Sequence, residues 1–195
     1  MNLGRPREFD IDRTLESATQ QFWAVGYEAT SLQDLLRVMC LSKSSLYQTF
    51  GNKQQLFIQC LDHYRKSMVV QLEEKLAANN SAREFLRGFL EDIVAEAQQK
   101  TGRRGCLLVN TANELSQRIP EVQLAVAAGA GAVLNVFRRA MELAVEQGEI
   151  SSSASLDSLV NFYFSGVSGL RTMVKAGIDK RELEPVVALI MDSIK

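Results

Sequence analysis

From Ser42 to Thr49 the chain reads Ser-Lys-Ser-Ser-Leu-Tyr-Gln-Thr, a run of hydroxyl, amide and ammonium groups that contains no acid. Wound as a helix and anchored inward by Leu41, Leu46 and Phe50, it turns Lys43, Ser44, Ser45, Tyr47, Gln48 and Thr49 to one outer face. Such a face suits DNA. Hydroxyls and amides reach phosphates or base edges, Gln can bind adenine through two hydrogen bonds, and Lys43 with Lys53 can neutralise backbone charge. Little other chemistry is encoded. A single histidine, His63, and three widely spaced cysteines, Cys40, Cys60 and Cys106, form no metal-ligand cluster, disulfide framework or nucleophile–base pair. We therefore expect no metal, no cofactor and no enzymatic activity. His63, beside Asp62 and Arg65, reads as a surface or hinge residue. Gly129-Ala-Gly131, the nearest thing to a phosphate loop, lies in an Ala/Val-rich helical pattern.

The elements that must position this face are legible from spacing. The 195 residues are 46% hydrophobic and 23% charged, with a formal charge of -1, a composition for a soluble folded chain with a sizeable core. The prolines are Pro6, Pro120 and Pro185, so nothing from Arg7 to Ile119 carries the strongest helix breaker. Ile11, Leu15, Ala18, Phe22 and Val25 alternate at four and three, predicting a first helix that Gly26 stops. Ser31, with Asp34 three residues on, opens a second helix whose inner face is Leu32, Leu35, Leu36 and Met39; Ser42 caps a third through Phe50. Longer helices follow: from Asn52 to about Asn79, Ser81 to about Lys100, Cys106 to Leu115, Pro120 to Gly148, Ser155 to Gly177, and a last one with Pro185 in its first turns. The expected fold is all-α, about nine helices, without internal repeat. The longest stretch free of strongly polar residues, Leu124 to Leu134, falls short of the ~20 residues that cross a bilayer. Met-Asn-Leu-Gly-Arg-Pro-Arg carries no apolar signal core, so a cytoplasmic protein without a membrane partner is expected.

Two short helices meeting at Met39-Cys40-Leu41, the second polar on its outer face, follow helix-turn-helix grammar. At Phe22, Gly26-Tyr27, Thr30-Ser31, Leu41-Ser42-Lys43-Ser44-Ser45-Leu46-Tyr47, Phe50, Asn52-Lys53 and Leu56-Phe57 the chain resembles the TetR family of bacterial transcriptional regulators. The resemblance covers about the first sixty residues. It implies a DNA-binding domain over residues 1–51 and an effector-binding and dimerisation domain over 52–195. It also implies a homodimer whose third helices enter successive major grooves of a palindromic operator, most often as a repressor, released when a small-molecule effector binds. Carried over by position, Tyr47 and Lys53 hold phosphates, Thr30 and Ser31 add contacts, and Ser44, Ser45 and Gln48 face bases. Arg5, within Gly4-Arg5-Pro6-Arg7, resembles a basic arm that some members lay on the backbone or in the minor groove. Cys40 departs from the family, which often has Gly there; a side chain is strained if φ is positive. Charge alone does not point to DNA, since six Lys or Arg in residues 1–54 balance six acids. The alternative is a helical small-molecule carrier or adaptor that has lost DNA binding.

Leu156, Val160, Tyr163, Val167, Leu170 and Val174 form a stripe on the penultimate helix, where Gly166 and Gly169 admit a close neighbour. Leu183, Val187, Ile190 and Ile194 match it on the last. The pair reads as too apolar for one chain to cover, which predicts a four-helix contact between subunits; the other reading is an internal core stripe. For an effector, Phe85, Phe89, Phe137, Phe162 and Phe164 could line a pocket, with Asn110, Asn113 or Tyr163 orienting the ligand, although aromatics at helical spacing also pack as core. Cys106 follows Arg103-Arg104-Gly105 at a helix start, where cations and backbone N–H groups favour a thiolate. It reads either as a sensor of electrophiles or oxidants, as in a subgroup that the segment Gly105 to Asn110 resembles, or as a small packed hydrophobe.

Overall fold

The computed structural model describes residues 9–98, 103–151 and 154–194. Among these residues every regular element is helical: α1 (Ile11–Val25), α2 (Leu32–Met39), α3 (Lys43–Phe50), α4 (Lys53–Ala78), α5 (Ala82–Ala95), α6 (Leu107–Leu115), α7 (Pro120–Glu146), α8 (Leu156–Lys175) and α9 (Lys180–Ser193), with a 3-10 turn at Glu96–Gln98. The caps that the sequence predicts at Gly26, Ser31, Ser42, Ser81 and Ser155 all stand at helix ends. Two compact units, Met1–Tyr64 and Arg65–Lys195, divide inside α4.

In the first unit α1, α2, α3 and the start of α4 enclose Ala18, Phe22, Leu35, Leu46, Phe50, Leu56 and Phe57, each no more than 2% exposed. The α1 stripe is narrower than its spacing suggests. Thr14, Ala18 and Phe22, four apart, face inward, whereas Ile11 and Val25 at its ends stand half exposed. An edge-to-face contact at 4.8 Å joins Phe22 to Phe57 and ties α1 to α4.

In the second unit α5, α7, α8 and α9 surround one apolar core. α7 is long and apolar enough to cross a bilayer by composition, with a mean hydropathy of 1.3 over its most apolar 18 residues. That exceeds what the Leu124–Leu134 stretch alone suggests, because Val122 before it and Val136-Phe137 after it extend the apolar pattern past the isolated polar residues Gln123 and Asn135. Val122, Val126, Gly129, Val133, Val136, Phe137, Ala140 and Ala144 recur at helical spacing and are buried in the unit, as a core helix requires. Residues beyond α7 cap α5. The N–H groups of Ala82 and Arg83 donate to Gln147 Oε1 at 2.9 Å and Glu149 Oε2 at 3.0 Å. Hydrogen bonds from Ser81 and from the Arg83 backbone hold the Glu149 carboxyl below its ordinary pKa.

Candidate nucleic-acid interface

The turn between α2 and α3 is built by two serine caps and a strained cysteine. The Ser31 hydroxyl accepts from the Asp34 N–H at 3.1 Å while the Ser31 N–H donates to Asp34 Oδ2 at 3.2 Å, a reciprocal capping box. Hydrogen bonds from the Ser31 hydroxyl and backbone, ahead of the nearby Arg37 charge, keep the Asp34 carboxyl below its ordinary pKa. Cys40 closes α2 at φ 53°, ψ 37°, the left-handed region that glycine prefers, so the strain expected at this departure is present. Two residues later the Ser42 hydroxyl accepts from the Ser45 N–H at 3.1 Å and starts α3.

On α3, Leu46 and Phe50 are buried, and Lys43, Ser44, Tyr47, Gln48 and Thr49 are exposed. Leu41 is half-buried rather than fully inward. Ser45 is partly buried, and its hydroxyl pairs with that of Ser42 at 2.9 Å beside the cap. Thr30 is the clearest correction. It is fully buried, and its hydroxyl donates to the Gly26 carbonyl at 2.6 Å, so it fastens the α1–α2 turn and offers nothing to a phosphate. Ser31 is exposed, with its hydroxyl engaged by Asp34 at 2.6 Å. Arg5 lies outside the described residues.

Lys53 begins α4. The Asn52 side chain accepts from the Gln55 N–H and the Gln55 side chain accepts from the Asn52 N–H, both at 2.9 Å. A Cβ at Gly51, which has φ +78°, would lie 2.1 Å from Gln55 Oε1, so glycine is what lets this second box close. The Lys53 ammonium lies 4.4 Å from the centre of the Tyr27 ring. Tyr27 in turn packs on Phe57 at 4.9 Å and Phe22 at 6.0 Å. Burial, with the Glu28 carboxylate as a lesser cause, raises the Tyr27 phenol above its ordinary pKa, so the ring is neutral. Gln59 Nε2 donates to the Phe50 carbonyl at 3.0 Å and binds the end of α3 to α4. Sequence reasoning assigned neither Tyr27 nor Gln59 a role; their partners lie 26 and 9 positions away, and no local pattern announces them. His63, half-buried, pairs with Glu16 of α1 at 3.1 Å, a link between helices.

In the second unit Phe89, Phe137 and Tyr163 do come together, with ring centres 5.3 Å and 4.9 Å apart. Phe137 and Tyr163 are fully buried, and the Tyr163 hydroxyl donates to the Leu86 carbonyl at 2.7 Å, so its polar end is satisfied inside the chain. Burial holds that phenol well above its ordinary pKa. Cys106, half-buried, is the N-cap residue of α6, its carbonyl accepting from the Asn110 N–H at 2.9 Å while its side chain makes no cap hydrogen bond. Asn110 donates to the Arg104 carbonyl at 2.8 Å and accepts from Lys175 Nζ at 2.9 Å, pinning the start of α6 to the end of α8.

The stripe on α8 and α9 is covered by its own unit. Val160, Tyr163, Val167, Leu170, Val174, Val187, Ile190 and Ile194 are buried in the core, and Leu156 packs against it. The reason is that α5 and α7 lie over this stripe, which spacing along α8 and α9 could not reveal. Gly166 belongs to that packing, since a Cβ there would meet Ile190 at 2.7 Å, whereas one at Gly169 would meet nothing. The outer side instead exposes Phe162 at 46% and Leu189 at 67%.

Residues 15–60 match the family described as bacterial regulatory proteins, tetR family, and residues 82–190 match the tetracyclin repressor-like C-terminal domain. The chain is 27% identical over 183 residues to the uncharacterized HTH-type transcriptional regulator YezE of Bacillus subtilis (strain 168), covering 93% of this chain and 94% of that one. It is 26% identical over 181 residues to the HTH-type transcriptional repressor ComR of Escherichia coli (strain K12), covering 92% and 86%. A cysteine-substituted form of the TetR family transcriptional regulator CifR, solved with 26-bp double-strand operator DNA, superimposes with a TM-score of 0.84 at 31% identity, covering 98% of this chain and all of that one.

Proposed function

From the premise that this chain belongs to the TetR family of DNA-binding transcriptional regulators, a family of regulators and not of enzymes, we propose that it is a repressor that binds a palindromic operator as a homodimer in the cytoplasm. The observation that carries the reading is the outer face of α3, where Lys43, Ser44, Tyr47, Gln48 and Thr49 stand exposed without an acid among them on a helix capped at its start. Lys43, Tyr47 and Lys53 contact phosphates; Ser44 and Gln48, one turn apart, face base edges. In the bound dimer the two α3 helices sit about one helical turn, ~34–36 Å, apart. Selection from random duplexes tests this: recovery of a palindrome is expected, and no enrichment returns the chain to the carrier reading. On the selected duplex, Tyr47→Ala/Lys53→Ala weakens binding to every sequence and lowers the salt slope, while Gln48→Ala relaxes preference at one position per half-site. Unchanged binding by the double variant refutes the placement.

The dimer is carried by the outward side of α8 and α9, supported by the exposed Phe162 and Leu189 and by the open space at Gly169. Phe162→Glu/Leu189→Glu then gives a monomer by light scattering; a dimer that persists removes this surface. Release follows when an effector prefers the conformation in which the two α3 helices are mis-spaced, since only differential binding shifts the equilibrium. Cys106, preceded by Arg103 and Arg104, is the group placed to react if the effector is an electrophile or oxidant. Cys106→Ser abolishes such release on this reading, and retained release assigns sensing to another group.

A further inference from the structure

The Tyr27 ring lies beneath the Lys53 ammonium at 4.4 Å. Lysine carries four rotatable bonds, and fixing such a side chain on a phosphate loses conformational freedom. A ring already under the ammonium removes part of that loss before DNA arrives. It also leaves N–H donors free to point away, because the cation has three and the ring's negative face takes one direction. The ring is itself held by neighbours: Phe57, 1% exposed, and Phe22, 1% exposed, pack against it from α4 and α1. Its raised phenol pKa keeps it neutral, so the attraction is to the ring and not to a phenolate. The capping box at Asn52 and Gln55 fixes the backbone from which Lys53 springs. Backbone and head of this lysine are thus both set, while Lys43 on α3 stands exposed.

We propose that Tyr27 is a positioning residue for DNA binding, its ring presenting the Lys53 ammonium to an operator phosphate. The proposal rests on the reading of Lys53 as a phosphate contact, and a double-mutant cycle separates the two. With the selected palindromic duplex as probe, Tyr27→Leu raises Kd roughly two- to fivefold in the otherwise unchanged protein and leaves it unaltered in a Lys53→Ala background. Tyr27→Phe binds like the parent. The salt slope falls with Lys53→Ala and not with Tyr27→Leu, since only the former removes a charge at the phosphate. Equal losses from Tyr27→Leu in both backgrounds overturn the proposal, because they reveal packing alone. Lys53→Ala without effect overturns both the proposal and the phosphate reading beneath it. Should Tyr27→Leu melt below the assay temperature, replacing Tyr27 by 3,4,5-trifluorophenylalanine keeps the shape and weakens the ring's negative face. The same loss is then expected, and binding equal to Tyr27→Phe overturns the idea.

Discussion

The two units put their expected working residues in opposite places. In the first, the polar side chains chosen from the sequence stand mostly in solvent, with Thr30 the fully buried exception. In the second, the apolar side chains chosen for dimer and effector are largely inside, with Phe137, Tyr163 and Ile194 fully buried. A polar face needs no neighbour to stay folded, so its exposure follows from its composition. An apolar stripe must be covered, and its spacing reports only that something covers it, not whether the cover is the same chain, a second copy or a ligand.

Truncating a core residue in each unit tests that contrast most severely. Phe137→Ala is expected to destabilise by about 3–5 kcal/mol and Leu46→Ala by about 2–5 kcal/mol, read by denaturant unfolding. A Phe137→Ala loss below about 1 kcal/mol would mean that the second unit's aromatic cluster is a loosely filled binding cavity. Thr30→Val comes next, at about 1–2 kcal/mol, because the Gly26 carbonyl loses a buried partner. Its salt slope for DNA should match that of the parent; a reduced slope would return Thr30 to the phosphate-binding set. Cys40→Gly works the other way and raises stability by a few tenths to about 1 kcal/mol, by relieving a side chain at φ 53°.

The smallest effect is electrostatic. The carboxyls of Asp34 in the first unit and Glu149 and Asp179 in the second all have lowered pKa values from hydrogen bonds donated to them. Each therefore contributes stability that is present above the ordinary carboxylate range of about 4 and is lost as pH falls through the lowered native value. Melting followed from pH 6 downward should decline less steeply for Asp34→Asn than for the parent. An unchanged acid limb would show that the α2 box is not held in solution.

Most of the fold was legible because its punctuation is local. Gly26, Ser31, Ser42, Ser81, Ser155 and Pro120 each mark a helix end through chemistry that involves at most a few neighbours in sequence. The outer face of α3 was legible for the same reason. What escaped is what depends on contacts far along the chain: the Tyr27–Lys53 pair, the Gln59 tether, and the cover that α5 and α7 give to α8 and α9. The burial of Thr30 and the pairing of Ser45 with Ser42 escaped as well, because a hydroxyl that faces solvent and one that meets a nearby backbone or cap are identical on paper.

The Gln59 tether sets a limit on transplanting specificity. An eight-residue helix has too few internal hydrogen bonds to persist alone, and α3 is held by a serine at one end and by Gln59 of α4 at the other. Leu56, Phe57, Cys60 and Leu61, on the same turns of α4, are buried as well. A chimera cut after Phe50 would carry the residues proposed to read DNA without the scaffold that shapes them, whereas one that keeps the chain through Tyr64 takes the first unit whole.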